Sequence, residues 1–221
     1  MTMRKYITVA SSIFGIFMLF ACAKKSFTGK AWERAALVPG RIECEYFDLG
    51  GEGIAYHDMD SINNGSGKLN PANGTYLNEF RMKEGVDLSY TKSNNIDNNA
   101  YNLVNPEMNH LYVGWTKPGE WINYTIHVKK TANYKIGLMY TCNGAGGISF
   151  SLDGHGLTDT IEIPTTHHDG DSVAWRQWHH WNYVDHLAEV NIEKGMHVLT
   201  LHTRIQGDMN YDYVVFAEVK K

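Results

Sequence analysis

The sequence predicts an all-β protein, a sandwich of two antiparallel sheets, on three observations. Short strand-like runs recur along the 221 residues, each separated from the next by Gly, Asn, Asp or Pro clusters. Several runs alternate with a period of two, as Tyr134, Ile136, Leu138 and Tyr140 do on one face. No stretch shows a sustained helical period.

Arg41–Tyr46 is the first run and Val86–Tyr90 the second. Glu120–Lys129 follows the Lys117-Pro118-Gly119 turn, and Tyr134–Cys142 carries the clearest alternation. Gly147–Leu152 stops at the Asp153-Gly154 turn, and Asp159–Ile163 is the next short run. Ala188–Ile192 and His197–Arg204 flank the Lys194-Gly195 turn, the latter with Val198 and Leu199 adjacent. Tyr211–Val219 closes the series. Two segments break this rhythm. Residues 58–106 are polar and rich in Asn and Gly, and residues 165–185 carry half of the chain's six tryptophans, Trp175, Trp178 and Trp181. Long loops in a compact β domain are uncommon and are where function usually sits. Flat rings mixed with Arg176, Gln177, His179 and His180 suit a surface that stacks on a ligand better than a core strand.

The amino terminus has Arg4 and Lys5, an apolar run from Ile7 to Phe20, then Ala21-Cys22. The run is shorter than the ~20 apolar residues of a comfortable membrane span, and its layout is that of a secretory signal peptide. A small residue before a cysteine resembles a bacterial lipoprotein processing box. The expectation is therefore a signal peptide over 1–21, lipidation at Cys22, a tether over 22–40 and one β-sandwich domain over 41–221. The location expected is the cell envelope, on an outer membrane and facing either outside or the periplasm, with lipid as the sole membrane contact. Removing residues 1–21 takes away Arg4 and Lys5 and no acid, which moves the formal charge from −4 to −6. With no basic stripe, nucleic acid is not an expected partner, and a monomer is the expected state. Cys44 and Cys142 lie in no metal-ligand spacing. Two buried thiols are the simpler reading, with a disulfide the alternative.

Several separated motifs then occur in order. Ile42-Glu43-Cys44-Glu45 precedes Gly50-Gly51-Glu52-Gly53-Ile54-Ala55-Tyr56-His57-Asp58. Val113-Gly114-Trp115-Thr116-Lys117-Pro118-Gly119-Glu120-Trp121-Ile122-Asn123-Tyr124 follows. The Trp178/Trp181 pair, Lys194-Gly195-Met196-His197-Val198-Leu199 and Met209-Asn210-Tyr211-Asp212-Tyr213-Val214-Val215-Phe216 complete the set. Together they resemble the family 6 carbohydrate-binding modules over about residues 41–219. That resemblance implies a jelly-roll-like, galactose-binding-domain-like sandwich that binds a polysaccharide or oligosaccharide without catalysis, in a cleft at the loop end. It implies Trp115 and Trp178 as the flanking rings and Asn210 as the hydroxyl partner, with Trp175 a rival because this loop exceeds the family norm. A stacking ring suits the apolar C–H face of a pyranose, and the amide suits its hydroxyls. Trp121 and Trp181 are the expected core rings. Glu52, Tyr56, Asp58, Arg176 and His179 are rim candidates for which an ordinary structural role is the simpler reading.

The resemblance also implies a structural calcium at Glu43, Glu45 and Asp212. Strand alternation would place Glu43 and Glu45 on one face, where two like charges call for a cation. The competing class is a small jelly-roll glycoside hydrolase or polysaccharide lyase. Glycoside hydrolysis needs two carboxylates about 5–9.5 Å apart, and 24 acids always supply some pair. Glu43-x-Glu45-x-x-Asp48 only loosely echoes the E-x-D-x-x-E motif of one jelly-roll glycosidase family, and no G-x-S-x-G, P-loop or H-E-x-x-H motif occurs. Adjacent histidines, His167-His168 and His179-His180, point opposite ways on extended chain, so each pair offers a metal one ligand at most.

Overall fold

The computed structural model describes residues 27–220; the signal peptide expected over 1–21 and the lipidation expected at Cys22 lie outside them. Strands in the first half are short: β1 (Ala36–Val38), β2 (Gly40–Glu43), β3 (Tyr56–His57), β4 (Ser66–Gly67), β5 (Asn70–Pro71), β6 (Leu88–Tyr90) and β7 (Leu111–Val113). The second half supplies the long ones: β8 (Trp121–Val128), β9 (Ala132–Cys142), β10 (Gly146–Leu152), β11 (His155–Gly156), β12 (Ile161–Ile163), β13 (Asn182–Ile192), β14 (Gly195–Ile205) and β15 (Met209–Glu218). All nine runs expected from the sequence contain a strand. The strands not expected are the short ones and the first half of β13, where ring-rich and polar residues hide the alternation.

One sheet runs β1-β8-β14-β10-β11, with β3 beside β8 and β12 beside β10. The other runs β13-β9-β15-β7-β6, with β2 beside β15. Except for β1, which lies parallel to β8, the pairings within both sheets are antiparallel. Register keeps the apolar sets together: Tyr124 faces Leu199 and Ile122 faces Leu201, while Val214 faces Leu138 and Phe216 faces Ile136. A one-residue slip would turn each set outward, so burial specifies the register. The two inner faces meet where Phe150 and Phe216 pack edge to face, 6.1 Å apart. Cys44 and Cys142 are both buried and free.

Two readings change here. Residues 30–38, assigned to the tether by sequence, pack on the sandwich: Ala36–Val38 pairs with β8, Lys30 pairs with Leu49, and Trp32 meets Phe80 edge-on at 5.2 Å. Trp121, expected in the core, opens β8 with the opposite parity to buried Ile122, Tyr124, Ile126 and Val128. It is half-buried beside His57, with ring centroids 6.4 Å apart.

Leu138 is fully buried in the main core. Leu138→Ala is expected to destabilise the fold by about 2–5 kcal/mol, read as a lower denaturation midpoint with an unchanged slope. A loss within error would mean that the sheets do not pack through this position.

Candidate functional site

The tryptophan segment forms a 3-10 turn, Ala174–His179. Three residues per turn eclipse positions three apart, so Trp175 and Trp178 share a face and line the same cleft. Sequence alone left the two as rivals; the turn uses both. They are 53 % and 39 % exposed, whereas Trp181, just beyond the turn, is 0 % exposed. Trp181 is buried as expected, though not between the sheets. It packs with Tyr112 and Met139 in a satellite cluster, on the opposite parity to core residues Val113, Leu138 and Tyr140.

Charged and amide side chains hold this turn from both flanks. Arg176 donates twice to Asp171, at 2.6 and 2.7 Å, and the buried His180 ring meets the same carboxylate at 2.8 Å. The guanidinium holds Asp171 well below the ordinary carboxylate range. Gln177 is buried and bonds to both His168 N and His168 O. On the other flank, Asp97 of the long Asn-rich loop is fully buried. It accepts from Trp181 Nε1 and meets His179 Nδ1, both at 2.8 Å, and accepts from Lys92 N at 2.7 Å. Asn99 donates to His179 O, Asn102 accepts from Trp181 N, and Leu103 N and Val104 N both donate to Trp181 O. The two segments that broke the strand rhythm are therefore each other's partner. His179 and His180 reach different carboxylates, Asp97 and Asp171, although His179 ends a 3-10 turn rather than lying on extended chain.

Trp115, the third exposed ring lining the cleft, is 40 % exposed with φ +51°. A bulky residue rarely adopts this left-handed conformation, and it is retained here at the mouth of a cleft. Thr116 anchors the loop through Oγ1 to Met209 O at 2.9 Å. Gly114 must be small, because a Cβ there would sit 2.8 Å from Asn210 Oδ1. Asn210 is buried, and its Nδ2 donates to Thr141 Oγ1 at 2.9 Å and to Trp178 O at 2.7 Å. The Trp178 carbonyl can only accept, which fixes the amide orientation and leaves Oδ1 without a donor among the described residues. One side chain thus joins the second ring to β15.

The resulting cleft has a volume of about 670 Å³ and is lined by Trp115, Trp175, Trp178, Tyr112 and Asn210 together with polar and apolar residues of the long loop. This is the size and chemistry of a small-ligand site. Of the five rim candidates only His179 lines it. Glu52 pairs with His57, Tyr56 is in the core and Arg176 is committed to Asp171. Asp58 is pushed up to about 7 by burial and by the neighbouring Glu120, but neither acid lines the cleft; Glu120 accepts from Met59 N and Lys117 N. The sequence reading missed Asp60, Asn64, Leu69, Lys92 and Ile96, cleft residues on the long loop. Their segment has no periodicity to assign them a face. Lys117 was legible only as part of the turn after Trp115.

Glu43 ends β2, and Cys44–Tyr46 is a 3-10 turn, so strand alternation does not place Glu45. Glu45 nonetheless turns inward, and the three expected carboxylates come within electrostatic range of one another. Asp212 sits at a register shift of β15 between Tyr211 and Tyr213, a bulge that re-aims its side chain. Glu45 Oε2 and Asp212 Oδ2 are buried with no hydrogen-bond partner among the described residues. Burial raises both acids, Glu45 well above the ordinary range. Two orphaned carboxylate oxygens fit a hard cation such as calcium. His110, which the sequence reading did not include, joins them: ligand atoms of Glu43, His110 and Asp212 lie within 4.8 Å of one another, and His110 Nδ1 meets Asp212 Oδ1 at 2.7 Å. Arg41 binds Glu43 at 2.7 Å.

Residues 87–218 match the model of the family described as carbohydrate binding module (family 6). Among solved structures the chain is similar to CsCBM6-3 from Clostridium stercorarium in complex with cellobiose, at 12 % identity, 84 % of this chain, 98 % of that chain and a TM-score of 0.49. It is also similar to a β-1,3-glucan binding CBM6 from Bacillus halodurans, at 17 % identity, 83 % and 98 % coverage and a TM-score of 0.48. A third is CBM6cm-2 from the Cellvibrio mixtus lichenase 5A in complex with cellotriose, at 19 % identity, 61 % and 88 % coverage and a TM-score of 0.45. No curated protein matched the chain.

Asp97→Asn presents an amide N–H to one of the donors that Asp97 now satisfies. It is expected to lower the unfolding free energy by about 1–3 kcal/mol and to make the cleft tryptophans more accessible to acrylamide. Unchanged quenching would show that the ring-bearing turn does not depend on this carboxylate.

Proposed function

The chain belongs to the family 6 carbohydrate-binding modules, and on that premise we propose that it holds a sugar ring non-covalently between Trp115 and Trp178. Trp175 extends the Trp178 wall, and Asn210 Oδ1 accepts from a sugar hydroxyl. The observation that carries this reading is the pairing of exposed rings from two separate segments across one cleft with a polar acceptor whose other bonds are already made. Each ring contributes about 0.5–1.5 kcal/mol beyond area burial. A single site is therefore weak, and many copies on one surface would gain by avidity.

The non-catalytic form of this reading is supported by the acids that do line the cleft. Asp60 is paired with Lys117, and Asp208 accepts from Gln206, so each is occupied within the protein. Release of new reducing ends or unsaturated products from a glycan panel would favour the hydrolase or lyase instead.

We also assign a structural calcium to Glu43, Glu45 and Asp212, with His110 beside them. When bound, the ion would neutralise the buried carboxylates where β2 meets the β15 bulge. The protein's own contribution is to hold Glu43 and Asp212, on two paired strands, at ligand distance beside His110, with Glu45 within electrostatic range of both from the turn after β2.

Two outcomes follow. Trp178→Ala is expected to weaken binding to a soluble polysaccharide about tenfold or more, roughly 1.4 kcal/mol at least, in affinity electrophoresis with little change in the thermal transition. A collapsed fold would make Trp178 a core residue instead. Chelator is expected to lower the melting temperature and calcium to restore it, since ligand at a hundredfold its Kd stabilises by about 2.7 kcal/mol; Glu45→Gln should blunt that response. A melting temperature indifferent to both additions removes the metal.

A further inference from the structure

Resting on the carbohydrate reading and deepening it, we propose that the cleft selects an acidic saccharide, one whose carboxylate or sulfate ester is met by the Lys92 ammonium. Four side chains of ordinary formal charge line the cleft: Asp60, Lys92, Lys117 and Asp208. Lys117 is committed to Asp60 at 2.5 Å. Asp208 accepts from Gln206 Nε2 at 2.6 Å and lies at the half-exposed edge, where solvent screens it.

Lys92 differs from the other three. Its Nζ donates to Ser89 Oγ and Tyr90 O, each at 3.3 Å, and lies 4.3 Å from the centre of the Tyr90 ring. An ammonium has three donors. Two therefore go to neutral oxygens, and no ion pair with Lys92 forms among the described residues. The acid that acts electrostatically on Lys92 is Asp97, but its oxygens are taken by His179, Trp181 and the backbone N–H of Lys92 itself. Asp97 therefore positions the Lys92 backbone without capping its head group.

Burial is the largest influence on Lys92 and lowers its pKa, with Asp97 opposing it. A charge held in a part-desolvated place and lacking a counterion favours a ligand that brings one. A neutral sugar stacked on the same rings would leave that ammonium as it is. An anionic substituent would form a charge-assisted hydrogen bond with the remaining N–H. Stacking tolerates many pyranoses, so a single placed charge is the feature able to discriminate among them.

The test uses matched ligand pairs in isothermal titration calorimetry: oligogalacturonate against its methyl ester, and a sulfated oligosaccharide against its desulfated form. At low salt the acidic member of at least one pair is expected to bind about tenfold tighter, with the difference shrinking as salt rises. The pair that responds identifies carboxylate or sulfate as the group. Lys92→Met should erase the difference within the matched pair, and Lys92→Arg should retain it. A wild type without acidic preference, or a preference that survives Lys92→Met, overturns the proposal while leaving sugar binding intact. Failure to bind any acidic or neutral glycan overturns the carbohydrate reading itself.

Discussion

The loop end of this protein depends on the burial of one carboxylate, Asp97, which lies in a stretch without strand or helix between β6 and β7 and meets the ring-bearing turn. Sheets secure their backbones by pairing, and loops must find other partners for theirs. Asp97 gathers Trp181 Nε1, His179 Nδ1 and Lys92 N, and the chain just after it caps the Trp181 carbonyl twice. A fully buried acid is tolerable only when its oxygens are satisfied, and here the satisfying groups are those that set the ring-bearing turn. The sandwich beneath supplies a flat outer face, on which Tyr112, Met139 and Trp181 form their own small cluster.

The cleft combines rigidity with local strain. Trp115 is held at φ +51°, a conformation that costs a bulky residue on the order of 1–3 kcal/mol, and Thr116 fastens the loop beside it. Gly114 leaves the space that Asn210 occupies, and Asn210 in turn ties the Trp178 carbonyl to the last strand. The two walls and the polar floor are thus connected through single contacts between residues far apart in sequence. Such preorganisation reduces the ordering that binding would otherwise require. Two residues further along the same strand, the bulge at Asp212 turns a carboxylate toward Glu43 and His110, so one strand serves both candidate sites.

What could be read without a structure follows the physics of each signal. Alternation is local, so Tyr134–Cys142, His197–Arg204 and Tyr211–Val219 were legible as strands. It failed at Asn182–Leu187, where Tyr183 and Val184 precede charged Asp185 and His186 without a clean period, and it misplaced Trp121 because ring size suggested burial whereas parity decides it. It also failed at Glu45, because the strand stops at Glu43 and a 3-10 turn brings the second acid inward by another route. The candidate rings were legible as residue types in ordered motifs. Lys92, Asp97 and His110 were not, since each acts through a partner distant in sequence.

By itself, then, the sequence determined an all-β sandwich, the family and the residue types of a stacking site, because periodicity and motif order are properties of the chain. Only the tertiary structure decided that Trp175 and Trp178 share one wall and that Trp181 lies beneath it. It alone showed that the two long segments hold each other and that Lys92 lines the cleft with no ion pair among the described residues. Those outcomes depend on distances between segments that no local pattern encodes, and on which polar groups are left over once every buried partner has been matched.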